Sequence, residues 1–219
     1  MTINKFTPTI DARLTAYAAL ATVALAAPVA AKADIVYSGL LNLNVPANID
    51  GVYLNFVTGL TGTSAGAVPG ASFNPYLTGT GLAFFWNNPT GVTTSAGVSL
   101  DGGTTFAALA ANSLISAGST FFSSAQSAAT PAWRAGTDAY LGVRFVNSST
   151  LAVNYGWVHL TTTGTTGFPA TIVGYAYENT GASILAGQVS PVPEPSTYAL
   201  LGMMATGAFA VRRWRKQAA

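Results

Sequence analysis

Between residues 34 and 190 the chain is a succession of short apolar or alternating runs, each cut off by a cluster of Gly, Pro, Asn, Ser or Thr. Such punctuation suits strands of a few residues joined by turns and leaves little uninterrupted chain for long helices. Runs at residues 35–45, 52–57, 82–86, 92–100, 140–147, 153–162 and 171–178 predict seven strands. That number fits a mainly β fold, an antiparallel β-sandwich of jelly-roll-like type. Within 140–147, Leu141, Val143 and Phe145 face one side while Tyr140, Gly142, Arg144 and Val146 face the other. Ser148-Ser149-Thr150 predicts the hairpin loop that follows. Residues 106–115, with Ala107, Ala108, Leu109, Ala110 and Ala111, favour one short helix by propensity. Asp101-Gly102-Gly103 before them predicts a tight turn, since Gly tolerates positive φ. No repeat of fixed period is present, which argues against a solenoid.

A chain of 219 residues holds one ordinary domain plus terminal segments. The body of about 157 residues can bury about two-thirds of its unfolded surface, enough to fold without cross-links. With Cys 0 there is no disulfide framework, thiolate metal site or cysteine nucleophile. One His and seven acidic residues leave little material for acid–base or metal chemistry. The net charge of +2 conceals an uneven distribution. Between residues 34 and 190 only Arg134 and Arg144 stand against Asp34, Asp50, Asp101, Asp138 and Glu178, a balance of −3. A mildly acidic body has no electrostatic footprint for phosphates, which excludes nucleic acid as a partner.

Both ends read as addresses. Lys5 and Arg13 precede an apolar run over residues 14–27, followed by Pro28 and Ala31-Lys32-Ala33. This is the order of a secretory signal peptide, residues 1–33, with Ala31 and Ala33 as the small residues just before the cut by signal peptidase and Asp34 as first mature residue. Residues 191–219 invert the order: Pro191-Val192-Pro193-Glu194-Pro195-Ser196-Thr197, an apolar run over 198–211, then Arg212-Arg213-Trp214-Arg215-Lys216. The run has 14 residues, and a helix of that length spans about 21 Å against about 30 Å of hydrocarbon. It therefore predicts a short transmembrane helix suited to transient insertion, its cations on the cytoplasmic side. Pro193 and Pro195 fix φ and hold Val192 and Glu194 extended, a strip that fits an enzyme cleft.

Pro193-Glu194-Pro195, the hydrophobic run with Gly202 and Gly207, and the Arg-rich tail together resemble the PEP-CTERM sorting signal of exported bacterial proteins. The resemblance implies recognition of Pro193, Glu194 and Pro195 by an exosortase, a membrane-embedded sorting enzyme. It also implies passage through the inner membrane to the cell-envelope surface or extracellular matrix, in association with exopolysaccharide and biofilm. The same short signal has been labelled an ice-binding-protein C-terminal domain, which describes an appended address. The latter half of the body is similar to those of other proteins with this signal, through Tyr140-Leu141-Gly142-Val143-Arg144-Phe145, Asn154-Tyr155-Gly156-Trp157-Val158 and Gly174-Tyr175-Ala176-Tyr177-Glu178.

Few residues in the body invite chemistry. Tyr155, Trp157 and His159 share one strand face, and His159 reads as a strand histidine near the surface. Tyr155, Trp157, Tyr175 and Tyr177, with Arg144 beside them, would form a glycan platform if their strands are neighbours with faces aligned; the same rings serve equally as core. Asp50-Gly51 and Asp101-Gly102-Gly103 lack the second acid that a calcium loop needs and read as turns. The Thr-rich stretch at 161–166 has no period and reads as a strand end and polar loop, not an ice-binding array. No catalytic residue, metal ligand or cofactor is assigned. The expected role is a structural or adhesive envelope component, the alternative a lectin-like module, and a glycosidase-like hydrolase is remote because no carboxylate pair can be nominated.

Overall fold

The structure, a computed structural model, describes residues 34–88 and 95–190. The proposed signal peptide, the cleavage residues Ala31 and Ala33, and the entire sorting segment lie outside the described residues.

The centre of the fold is an antiparallel meander of its three longest strands, β10 (Asp138–Val146), β11 (Val153–Thr162) and β12 (Ala170–Glu178). Hairpin β10–β11 is in register over its whole length, from Asp138 opposite Thr161 to Val146 opposite Val153. Its loop is the expected Ser148-Ser149-Thr150, and the Asn147 side chain closes it by accepting the N–H groups of Ser149 at 2.9 Å and Thr150 at 3.2 Å. β1 (Ile35–Tyr37) and β2 (Leu43–Val45) both pair with β12, while β7 (Ala96–Val98) and β9 (Phe121–Phe122) extend the sheet beyond β10. The sequence reading treated residues 35–45 as one strand. In the structure residues 38–42 interrupt the ladder, with Gly39 and Asn42 at φ 73° and 47° opposite the register shift at β12 residue Val173, while the N–H groups of Ser38, Leu41 and Asn42 still donate to the Tyr175 and Val173 carbonyls.

A second antiparallel sheet has the order β4-β3-β5-β6, built from β3 (Tyr53–Leu54), β4 (Thr61–Gly62), β5 (Phe73–Thr78) and β6 (Gly81–Trp86). β5 escapes a sequence reading because Pro75 interrupts it. The proline is tolerated because only Leu54 of β3 is in register with β5, so little ladder is lost on that side. The two sheets pack face to face through one aromatic-rich core. Phe56, Phe73, Phe84, Phe106, Trp133 and Phe145 are all at or below 1% exposure, and burying each contributes about 1.5–3 kcal/mol. Their rings meet in tilted and edge contacts, Phe56 on Phe145 at 4.9 Å and Phe84 on Phe106 at 5.2 Å.

The architecture is thus an antiparallel sandwich, as expected. Its connectivity differs from a jelly roll, because β10, β11 and β12 are consecutive neighbours in one sheet. The helix expected at 106–115 is also absent. Phe106 bridges Ser99, Leu109 bridges Tyr140, and Leu114–Ile115 form strand β8. β7 pairs with β10 only at Val143 and Arg144, so the backbone of Tyr140 needs another partner. Leu109 supplies it by exchanging two hydrogen bonds of 2.8 and 3.0 Å. Satisfying that strand edge outweighs helix propensity.

β8 pairs with β13 (Ile184–Leu185), and this small ribbon covers part of the outer face of the large sheet. A second cluster is buried there: Val98, Leu109, Ile115, Tyr155, Trp157, Ala176 and Ile184. Gly142 permits the close approach, since a Cβ at that position would lie 2.6 Å from Val98 Cγ2 and 2.9 Å from Leu109 Cδ1. We expect Gly142→Val to destabilise the protein by about 1–3 kcal/mol or more through overpacking. Urea unfolding of the variant checks this, and a midpoint equal to that of the parent would contradict the covered outer face.

Candidate functional site

Alternation along the meander decides where each candidate side chain goes. Arg144 opposes Tyr155 across β10 and β11, and Tyr155 and Trp157 point to the outer face, as the sequence predicts. Arg144 lies with its guanidinium 4.4 Å from the Phe121 ring centroid, and Phe121 is 6.0 Å from Tyr155. β12 runs one residue out of phase with the expected platform. Trp157 is opposite Ala176, while Tyr175 and Tyr177 oppose Val158 and Gly156 and enter the core between the sheets. Tyr175 packs on Phe56 at 5.2 Å and Tyr177 on Phe145 at 5.2 Å. Burial pushes the Tyr175 phenol up to about 12, with Tyr177 adding to the shift, and burial also raises Tyr177. The proposed platform of Arg144, Tyr155, Trp157, Tyr175 and Tyr177 is therefore split by the sheet. Trp157, at 3% exposure, presents no open ring.

A different aromatic row lies on the outer face. Tyr37 of β1, 39% exposed, is 6.0 Å from the Trp157 ring. Tyr140 meets Trp157 edge-on at 5.3 Å and stacks on His159 at 4.7 Å. Trp157 is held beneath them by its Nε1–H, which donates to the Gln188 carbonyl at 3.0 Å. His159 Nε2 lies 2.5 Å from Asp138 Oδ1, and the Asp138 side chain is largely open to solvent. Aromatic edges, an imidazole and a solvent-facing carboxylate sit together at one end of the sheet. Among the described residues no Ser or Thr hydroxyl is hydrogen-bonded to the imidazole, so the pair links two strands without the geometry of a nucleophilic triad. The sequence reading missed Asp138 because the expected strand began two residues later. Extending the alternation from Tyr140 to Asp138 is the signal that finds it.

The remaining candidates are structural. Gly102 and Gly103 adopt φ of 76° and 98°, completing the turn expected after Asp101. The Asp101 carboxylate accepts the hydroxyls of Ser99 at 2.8 Å, Thr104 at 2.7 Å and Thr105 at 2.6 Å, and the N–H groups of Thr104 and Thr105. Those donors, Thr105 foremost, hold its carboxyl well below the usual carboxylate range. Gly51 has φ 56° and lies so close to β5 that a Cβ would be 2.1 Å from the Pro75 carbonyl oxygen, so Asp50-Gly51 is likewise a turn. Thr162 ends β11 and the polar loop follows, as the Thr-rich stretch predicts.

The lowered Asp101 value has a sign that can be tested. The carboxylate stabilises the fold fully above its ordinary value of 3.8, and that contribution declines as pH falls below it and the unfolded chain takes up the proton. The stability gap between the parent and Asp101→Ala should be constant near neutrality and shrink below about pH 4. Thermal melts across that range check it; a gap independent of pH would count against the carboxylate as the turn's anchor.

The body is structured to its last described residues. Ala186 N–H donates to the Ser113 carbonyl at 2.9 Å, Leu185 N–H to Gln188 Oε1 at 3.0 Å, and Gln188 Nε2 to the Ser190 carbonyl at 2.9 Å. A family model described as the PEP-CTERM protein-sorting motif matches residues 191–216, beginning at the next residue and including Pro193, Glu194 and Pro195. No curated protein and no solved structure matches the chain. The chain thus carries a PEP-CTERM sorting motif directly after a β-sandwich, and the motif indicates an exported protein that passes through the membrane and is processed by an exosortase-type enzyme.

Proposed function

We propose that this is a non-enzymatic structural or adhesive component of the cell envelope or extracellular matrix, delivered through cleavage at the sorting segment. The observation that supports the reading is the direct succession of a densely packed β body and the sorting motif at residue 191. The body is stabilised by aromatic burial and strand pairing without disulfides. Signal peptidase acts on the N-terminal address in this reading, and exopolysaccharide is the surrounding material. Replacing Pro193, Glu194 and Pro195 with Ala should leave a heavier, membrane-associated species. Intact mass with cell fractionation is the measurement, and unchanged mass and destination would sink the sorting half of the reading.

A second reading, a lectin-like module, is favoured by the outer row of Tyr37, Tyr140, His159 and Asp138. A half-exposed ring offers stacking for the apolar face of a sugar, and a neighbouring carboxylate accepts hydroxyl donors. Under that reading Tyr37→Ala and Asp138→Ala each weaken binding on a glycan array by about tenfold while the melting temperature stays close to that of the parent. Binding that survives both substitutions places the sugar elsewhere, and an empty array favours the structural role. Trp157→Ala is unsuitable as a probe because this buried ring anchors the C-terminal segment.

A further inference from the structure

The sorting segment leaves the body without slack. Ser190, the last described residue, accepts a hydrogen bond from Gln188, which is itself fastened to Trp157 and Leu185. Pro193 is three residues further on, a reach of about 10 Å even when fully extended. Tyr198, where the apolar run starts, is eight residues on, at most about 28 Å. When a membrane-embedded enzyme holds Pro193-Glu194-Pro195, the surface around β8 and β13 is therefore brought against it.

That surface has a distinctive composition. Residues 102–133 and 179–190, which contain both strands of the ribbon and their flanks, include no Asp, Glu, Lys, Arg or His. Ala111, Asn112, Leu114 and Val189 are exposed on it, Leu114 at 60% and Val189 at 48%. The ribbon is held as one unit, with Leu185 opposite Leu114 and Asn112 N–H donating to the Ala186 carbonyl at 2.8 Å. The ribbon segments carry no charge of their own, and their protruding aliphatic side chains lose little on desolvation against a protein rim close to a bilayer; the charged groups of the outer face, Arg144 beside Phe121 and Asp138 beside His159, belong to the sheet that flanks the ribbon.

We propose that the β8–β13 face is the docking surface for the sorting enzyme, whose rim around the cleft for Pro193-Glu194-Pro195 is correspondingly uncharged and apolar. The proposal rests on the sorting reading and adds to it a recognition element within the folded body. The body docks through the ribbon, and the short tether aligns the motif with the cleft.

The test follows precursor processing of the full-length chain in cells by pulse-chase. Leu114→Lys combined with Val189→Lys, and separately Ala111→Lys, should slow conversion by about tenfold, whereas Leu60→Lys, next to the second sheet, should not. Inserting a Gly/Ser linker of about ten residues after Ser190, which adds a mean span of about 17 Å, should slow the parent towards the rate of the lysine variants and leave those variants slow, because the docked body no longer presents the motif to the cleft. Processing of the lysine variants at the parental rate overturns the docking surface, as does full rescue of those variants by the linker. The Pro193, Glu194 and Pro195 triple-Ala chain separates the two claims: if it is processed normally the sorting reading itself fails, and if it is blocked while the lysine variants are processed normally only the docking surface does.

Discussion

The fold depends on the phase of the β10–β11–β12 meander. Side chains alternate with a period of two, so the nine-pair register of β10 and β11 commits Leu141, Val143, Phe145, Val158 and Leu160 to one core and Tyr140, Tyr155 and Trp157 to the other face. A slip of β10 by one residue would place Leu141, Val143 and Phe145 outside and Arg144 between the sheets, a buried charge in an aromatic core. Both faces of this sheet carry a buried cluster, one under the second sheet and one under the β8–β13 ribbon. The register is consequently specified from two directions.

Double coverage explains how a chain with 7% charged residues remains a defined fold. Several buried polar side chains are met by backbone groups. Asn55 donates to the Pro69 carbonyl and accepts the N–H groups of Val57 and Thr58. The Glu178 carboxylate, almost wholly buried, accepts the N–H groups of Thr180 and Ala182 and the Thr180 hydroxyl. Glycines are placed where elements meet closely. Gly156 is one, since a Cβ there would fall 2.5 Å from the Ala176 carbonyl oxygen and 2.9 Å from Tyr177 Cβ. This economy places Tyr177 in the core and keeps it out of any surface site.

The same architecture links the body to its address. β1, at the start of the described chain, pairs with β12, and β13 at the far end folds back over the face that β11 presents. Trp157 is central to this closure, touched by Tyr37 from β1 and Tyr140 from β10 and hydrogen-bonded to Gln188 from the C-terminal segment. One buried indole thus ties the beginning and middle of the body to Gln188, three residues before the sorting motif.

Local signals in the sequence determined much of this protein. The alternation in 140–147 and 153–162, the Ser148-Ser149-Thr150 loop, the turn at Asp101-Gly102-Gly103 and the three-part sorting signal depend on residue type and spacing over a few neighbours, and all were legible there. The tertiary structure decided what depends on which strand lies beside which. It drew the Ala-rich 106–115 segment onto the free edge of β10 in place of a helix. It also set β12 out of phase with the expected platform, sending Tyr175 and Tyr177 inward, and brought Asp138 to His159 and Tyr37 to Trp157. Pairing partners and phase follow from backbone hydrogen bonds and packing between residues far apart in the chain, and no local pattern encodes them.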